Sequence, residues 1–465
     1  MEIPQQQKSR VPHIYVLLAA IIFICAIGTW VLPAGEFERK ANEAGRMLVV
    51  PGTYHAVDSN PIGFMDLLLS VYKGMNDAAG VVFFVFIAYA SIGLVIKTGA
   101  FNGLLASMLR CLKGKVKVLI IPIFMILVGV GSSTVGMFEE TYPFIPIFVG
   151  IATAMGYDAI VGMAIIGLAA GIGYSGAAMN PFTVGIAQSI AELPPLSGAG
   201  YRIFCHAVMV VVASAYTMHY ALKVEKDPTK SIVYGDDIGS LKMDASDLEK
   251  SPFGYREISI LLSLAVGIVV IVWGVKVNGW YFGEIAAAFL FMGLLAGGII
   301  GWRPSEIATK WADGLAEIAM AAIMIGIARG ILIVLREGRI IDTIVYALAM
   351  PLGMIPRWAA AQTMLVIQTL INFVIPSGSG QAATSMPIMA PLSDLLGISR
   401  QISVLAFQFG DGLSNILWPT ASMPILCGLA RVKIDRWIKW FVPLFGLLFL
   451  TQMVLLYGAL LINYQ

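Results

Sequence analysis

The chain has 465 residues, of which 58% are hydrophobic and only 12% charged, with a net charge of +2. Soluble domains carry about 25% charged residues, so this composition excludes a water-facing globule, and the near-neutral balance offers nothing to a nucleic-acid partner. The surrounding solvent must be lipid, where backbone hydrogen bonds have to close within helices.

The first apolar run, 14–33, follows Lys8 and Arg10 but lacks a small-x-small cleavage site at its end. It therefore reads as a span rather than a signal peptide. An amphipathic stretch at 62–77 and a span at 80–97 come next. The apolar region 117–155 is interrupted by Gly131-Ser132-Ser133-Thr134. Its first arm would rise about 22 Å as a helix, short of a hydrocarbon core of about 30 Å, which predicts a re-entrant hairpin. Glu139 and Glu140 follow the interruption, ahead of Pro143 and Pro146. Adjacent carboxylates are too costly to face lipid, so they are expected to face protein or a water-filled cavity.

Residues 158–190 contain Gly171, Gly173, Ser175, Gly176, Asn180 and Pro181 and read as a broken helix; a span at 202–222 closes a first unit, 1–222. The polar segment 223–256, with Lys226, Asp227, Asp236, Asp237, Asp244 and Lys250, reads as a cytoplasmic linker, and 257–282 as a linking transmembrane helix. The second unit, 283–465, has spans at 283–302 and 316–335, with an amphipathic stretch at 304–314 between them and Arg329 inside the second span. A second hairpin follows at 358–397, with its tip at Pro376-Ser377-Gly378-Ser379-Gly380. Its first arm is long enough that length alone does not force re-entry. A broken helix at 400–430 holds Gly410, Asp411, Gly412, Ser414, Asn415 and Pro419, and a last span covers 437–462.

The two units correspond. Lys97-Thr98-Gly99 matches Arg336-Glu337-Gly338, Ser132 matches Ser377, Pro143 matches Pro387, Gly156 matches Gly397, and Asn180-Pro181 matches Trp418-Pro419, at offsets between 238 and 245. An odd number of crossings between them predicts inverted repeats, the plan of secondary transporters. Threading the chain from a cytoplasmic N-terminus puts 19 Lys and Arg on the inner side and 10 on the outer. That bias predicts N-in and C-out.

Helix ends inside a membrane leave N–H groups unpaired, and such groups with hydroxyls suit a carboxylate or small ion. The tips, Ser132, Ser133 and Thr134 with Ser377, Gly378 and Ser379, are therefore expected to bind substrate. Pro181 and Pro419 each free a carbonyl of the preceding turn, beside Asn180 and Asn415, which suits a cation or ammonium group; a plain proline kink is the structural alternative. Among charged groups the core holds Glu139, Glu140 and Asp411 against Arg329. Arg329 either snorkels to the interface or pairs a carboxylate of the protein or the substrate. The excess of acid favours a positively charged substrate, and proton carriage is the rival role of the two glutamates. Gly173-Tyr174-Ser175-Gly176 also fits the short GxSG motif of intramembrane serine proteases, with His206 or His219 as a base. Cys25, Cys111, Cys205 and Cys427 show no paired spacing and the four histidines are scattered, so neither a disulfide frame nor a metal site is indicated. No cofactor is expected beyond a coupling ion, H+ or Na+.

The runs MFEETYPFIPI, GYDAIVG, MNPFTVGIAQ, IARGIL, IPSGSGQAATSMPIMAPLSDLLG and QFGDGLSNILWPT, with the opening LPAGEFER, resemble the YfcC family of the DcuC-like anaerobic carriers in the ion transporter superfamily. The resemblance spans nearly the whole chain. It implies scaffold and transport domains, an elevator-type motion, a homodimer and a multi-pass location in the inner membrane. Members are described as arginine/ornithine exchangers, basic amino-acid antiporters or four-carbon dicarboxylate carriers. The first tip reads Ser-Ser-Thr where the sodium-coupled dicarboxylate branch has Ser-Asn-Thr. The expectation is thus an all-α polytopic membrane protein with about nine transmembrane helices and two re-entrant hairpins, acting as a basic amino-acid antiporter. A proton- or sodium-coupled dicarboxylate symporter is the alternative and an intramembrane protease the minor one. The tips and Arg329 would hold the substrate's carboxylate, and Glu139, Glu140 and Asp411 its cationic end.

Overall fold

The computed structural model describes residues 14–41, 47–50, 52–100, 103, 114–241 and 253–465. Lys8, Arg10, Cys111, Asp244 and Lys250 lie outside them. The first half contains α1 (Ile14–Val31), α2 (Phe64–Asp77), α3 (Ala79–Lys97), α4 (Ile120–Val135), α5 (Ile145–Ala154), α6 (Ala159–Ser175), α7 (Val184–Ile190) and α8 (Ala199–Lys226). The second contains α9 (Tyr255–Asn278), α10 (Phe282–Ile300), α11 (Pro304–Glu337), α12 (Ile341–Ala349), α13 (Arg357–Val374), α14 (Gly378–Leu395), α15 (Arg400–Ser414), α16 (Met423–Ala430) and α17 (Ile434–Leu461).

Seven of the described helices are long and apolar enough to cross a membrane: Ala79–Lys97, Lys117–Val135, Ala199–Lys226, Tyr255–Val275, Phe282–Ile300, Pro304–Glu337 and Ile434–Leu461. The protein is an all-α polytopic membrane protein. Tyr15–Val31 and Ala159–Ser175 are shorter apolar helices. The strands are two short antiparallel pairs, Gly35–Glu36 with His55–Ala56 and Arg39–Ala41 with Met47–Val49, in the polar segment after α1.

Three sequence expectations change. The first arm of the 117–155 region does not stop at Gly131: α4 runs on through Ser132, Ser133 and Thr134 to Val135, and the turn falls at Gly136 (φ +82°). Thr134 bonds back to the preceding turn and the two serines bond to a neighbouring element, neither of which ends a helix, so the polar triplet did not mark the break. As a helix from Lys117 the arm has 19 residues, and its length no longer requires re-entry. The 304–314 stretch is not separate from the following span; α11 is one helix of 34 residues. In the first half the corresponding separation does occur, since Ala78 stands between α2 and α3.

The two interrupted regions, 117–155 and 358–397, end alike. Gly156 (φ +83°) and Gly397 (φ +63°) adopt left-handed conformations. In each case the next N–H reaches back five residues: Tyr157 N to Ala152 O at 2.9 Å and Ile398 N to Ser393 O at 2.8 Å. Such endings satisfy terminal carbonyls and suit glycine. The second residue after each glycine then caps the following helix: Asp158 accepts from Val161 N at 3.2 Å, and Ser399 from Gln401 N at 3.2 Å. Sequence order thus leads each interrupted region directly into a broken helix.

Those broken helices, α6 and α15, cross backbone to backbone. A Cβ on Gly412 would collide with the Ser175 backbone, and one on Gly171 would lie 3.5 Å from Gly412 O. Ser175 Oγ donates to Phe409 O (3.3 Å), and Gln408 Nε2 to Tyr174 O (2.6 Å). A second close crossing joins α2 to α11, where a Cβ on Gly74 would lie 2.5 Å from Gly326 O and 2.6 Å from Gly330 N. Loops bond in two sets. Lys117 Nζ donates to Met155 O (2.9 Å), Ser231 Oγ to Asp158 (2.6 Å), and Lys433 Nζ to Asp236 (2.6 Å). In the other set, Arg39 bonds Asp342 (2.7 Å), Arg357 bonds Asn463 (3.3 Å), and Arg400 bonds both Asp394 (2.8 Å) and Glu192 (2.8 Å).

Candidate substrate site

The segment after α4 and the start of α14 meet across a cavity of about 310 Å³. Gly136, Phe138, Glu139 and Glu140 from the first and Pro376 to Ser379 from the second line it, together with Asn415, Asp77 and Arg329. Local chemistry explains the first wall. Tyr174 Oη donates to Gly136 O (3.0 Å), and the Phe138 and Tyr174 rings meet edge to face at 5.0 Å. Asn180 Oδ1 accepts from Phe182 N (2.9 Å), and a Cβ on Gly136 would come within 2.6 Å of that oxygen. Glycine at this position therefore serves both the left-handed turn and the approach of Asn180.

The second wall is the N-terminus of α14. Ser377 caps it, accepting from Gly380 N at 3.4 Å, and the first N–H groups of the helix have no intrahelical acceptor. A Cβ on Gly378 would lie 2.5 Å from Thr183 Cγ2 and 3.0 Å from Asp411 Oδ2. Asn372 Nδ2 binds behind the tip to Asp411 Oδ1 (3.0 Å), Asn415 Oδ1 (3.2 Å) and Gln381 Oε1 (3.2 Å). This leaves Asp411 Oδ2 buried with no hydrogen-bond partner.

The expected site residues divide. Glu139, Glu140, Asn415, Arg329, Ser377, Gly378 and Ser379 line the cavity. Ser132, Ser133, Thr134, Asn180 and Asp411 do not appear in its lining. Ser132 Oγ donates to Ala170 O (2.8 Å), and Ser133 Oγ to Gly176 O (3.1 Å) while accepting from Ala178 N (3.0 Å). Thr134 Oγ1 bonds back to Val130 O (2.7 Å). The two serine hydroxyls join α4 to α6 and to the break that follows it. Asn180 and Asp411 are fully buried behind the walls. Glu140 accepts from Phe138 N (3.0 Å), and neither glutamate has a basic partner within ion-pair distance among the described residues.

Arg329 pairs neither Glu139 nor Glu140. Its Nε bonds Asp77 Oδ2 at 2.5 Å, and Arg336 Nη1 lies 3.8 Å from Asp77 Oδ1. Asp77 was missed from the sequence. Its signal is an acid at the end of an amphipathic stretch, facing the arginine of the other half. The protease constellation does not form: Ser175 Oγ is bonded to Phe409 O, and both ring nitrogens of the buried His206 have no hydrogen-bond partner.

The family model described as "DcuC: C4-dicarboxylate anaerobic carrier" matches residues 11–461. The chain belongs to the DcuC carrier family. It is a transporter and not an enzyme, a secondary-active carrier of small molecules with a multi-pass inner-membrane location. The chain is 33% identical over 502 residues to the Escherichia coli K12 protein named "Putative basic amino acid antiporter YfcC", covering 99% of this chain and 98% of that one. A Haemophilus influenzae protein is 30% identical over 501 residues, covering 98% of each chain. Among solved structures, the YdaH transporter of Alcanivorax borkumensis aligns over 96% of this chain and 98% of its own, at a TM-score of 0.42 and 19% identity. MtrF of Neisseria gonorrhoeae aligns over 97% and 95%, at 0.45 and 14%.

Proposed function

We propose that this member of the DcuC family moves small carboxylates, four-carbon dicarboxylates first among them, coupled to a cation. The observation that carries the reading is the wall where Ser377, Gly378 and Ser379 meet Arg329. Arg329 bonds Asp77 through Nε alone, and the outer fork of a guanidinium matches a carboxylate. The cap hydroxyl and open N–H groups of α14 add donors of the kind that hold anions at helix N-termini. The expectation of a cationic substrate leaned on Arg329 as the lone basic group of the core. Arg39, Arg336 and Arg339 stand with it around an adjoining cavity, which removes that objection, and the family's description points the same way. On this reading Glu139, Glu140 and Asp411 serve the coupling cation, H+ or Na+.

A second reading, the basic amino-acid antiporter, rests on Asp77, Glu139 and Glu140 lining the same cavity as one arginine, and on the name of the Escherichia coli relative. There the acids would hold the ammonium or guanidinium end. Both readings use the same architecture: two inverted repeats, 1–222 and 283–465, joined by the linker 223–256 and the helix 257–282. Opposed re-entrant hairpins, an elevator motion, a homodimer, and N-in, C-out threading complete the proposal. The matched glycine endings at 156 and 397 support the repeat. The bond of Lys117 to Met155 supports a first hairpin that returns to the end it left.

Counterflow in proteoliposomes tests the reading. Vesicles loaded with succinate are expected to accumulate labelled succinate or fumarate, with excess arginine failing to compete. Arginine uptake into ornithine-loaded vesicles without succinate uptake would replace the first reading by the second.

A further inference from the structure

Beside the second tip lies another cavity, about 400 Å³, which shares Arg329 and Ser377 with the first. Four guanidinium groups line it: Arg39, Arg329, Arg336 and Arg339. Three carboxylates answer them, and unequally. Arg39 is held firmly by Asp342, 2.7 Å away and 1% exposed, which also accepts from Phe37 N at 3.0 Å. Arg339 meets Glu36 only at 3.6 Å. Asp77 serves two arginines, Arg329 at 2.5 Å and Arg336 at 3.8 Å. Arg336 is the loosest of the four, its side chain 58% exposed. The cavity thus carries one more cation than its acids neutralise. Gly380 and Thr384, in the first two turns of α14, also line it.

The geometry points to this second cavity as an antechamber that takes the substrate's carboxylate before the inner cavity does. It rests on the carboxylate reading above. Arg336 and Arg339 make the first contact, since their present partners are long and solvent-screened. Arg329 makes the second: its outer fork turns to the arriving carboxylate while Asp77, the tethered competitor, keeps Nε or passes to Arg336. A cationic cleft with low-dielectric walls also raises the local concentration of anions and hastens their capture.

Two measurements decide it, both on the full chain in liposomes. Arg336→Gln and Arg339→Gln together should raise KM for succinate about tenfold at low ionic strength, with kcat changed far less. The effect should shrink as salt rises toward 0.5 M, where the Debye length is only about 4 Å. The second measurement needs no substrate. Thr384→Cys in a chain freed of its native cysteines should react faster with a sulfonate-bearing methanethiosulfonate than with a trimethylammonium one, relative to their rates on a small thiol. The preference should vanish in the double arginine variant. Absence of labelling by either reagent, or no charge preference, overturns the antechamber, as does an unmoved KM in a chain that transports succinate. If the anionic preference holds but succinate is not carried, the antechamber stands and the dicarboxylate reading falls.

Discussion

The two turns that face the inner cavity were built from similar residues and came to different uses. In the first, Ser132 and Ser133 bond to the carbonyls of Ala170 and Gly176, so the hydroxyls fasten α4 to the broken helix beside it. In the second, Ser377 caps α14 while the cavity reaches Ser377, Gly378 and Ser379. A hydroxyl in the last turn of a helix finds a neighbour's carbonyl, whereas one at a helix start sits among unpaired N–H donors. Polar composition alone does not separate a tie from a binding surface; position relative to the helix end does.

That contrast can be broken by substitution. Arg329→Ala should have the largest effect, lowering kcat/KM for the transported anion at least about 100-fold, roughly 3 kcal/mol, because it removes the fork beside the second tip and leaves Asp77 only its longer contact to Arg336. Uptake kinetics in proteoliposomes check it. Gly378→Ala should follow, with transport down about tenfold, since its Cβ would press on Thr183 and Asp411 beside the second tip. Ser133→Ala should spare transport. It leaves KM near wild type and costs about 1–2 kcal/mol of stability, seen as a lower melting temperature in detergent, because the Gly176 carbonyl loses its donor. Thr134→Ala should be smallest, within about 0.5 kcal/mol, as its hydroxyl bonds only within its own helix. A Ser133→Ala chain that stays stable but loses substrate affinity would erase the distinction between the two turns.

Much of the fold was legible because a lipid solvent makes apolar runs unambiguous. The spans at 80–97, 283–302 and 437–462 correspond to α3, α10 and α17. The hairpin endings were marked by Gly156 and Gly397, since only a left-handed turn asks for glycine there. The site was less legible. Glu139, Glu140, Arg329 and the second tip line the cavity, but Asp77 did not stand out, because an acid at the end of an amphipathic stretch is ordinary in water. The arginines of the second cavity were invisible for a similar reason. Arg39, Arg336 and Arg339 were counted as loop charges, and their convergence depends on the segment after α1 folding onto α12 through Asp342 and Thr343. Such long-range encounters leave no periodic trace in the sequence.

The two glycine crossings carry a mechanical consequence. Where α6 meets α15, and where α2 meets α11, main chains touch without intervening side chains, and close-packed interiors yield little. Each pair is in effect spot-welded. The inner cavity is lined by both pairs, by Asp77 and Arg329 of the α2–α11 pair and by Tyr174 of the α6–α15 pair. Contacts within each pair are thus fixed by main chain, whereas the cavity between them is bounded by side chains.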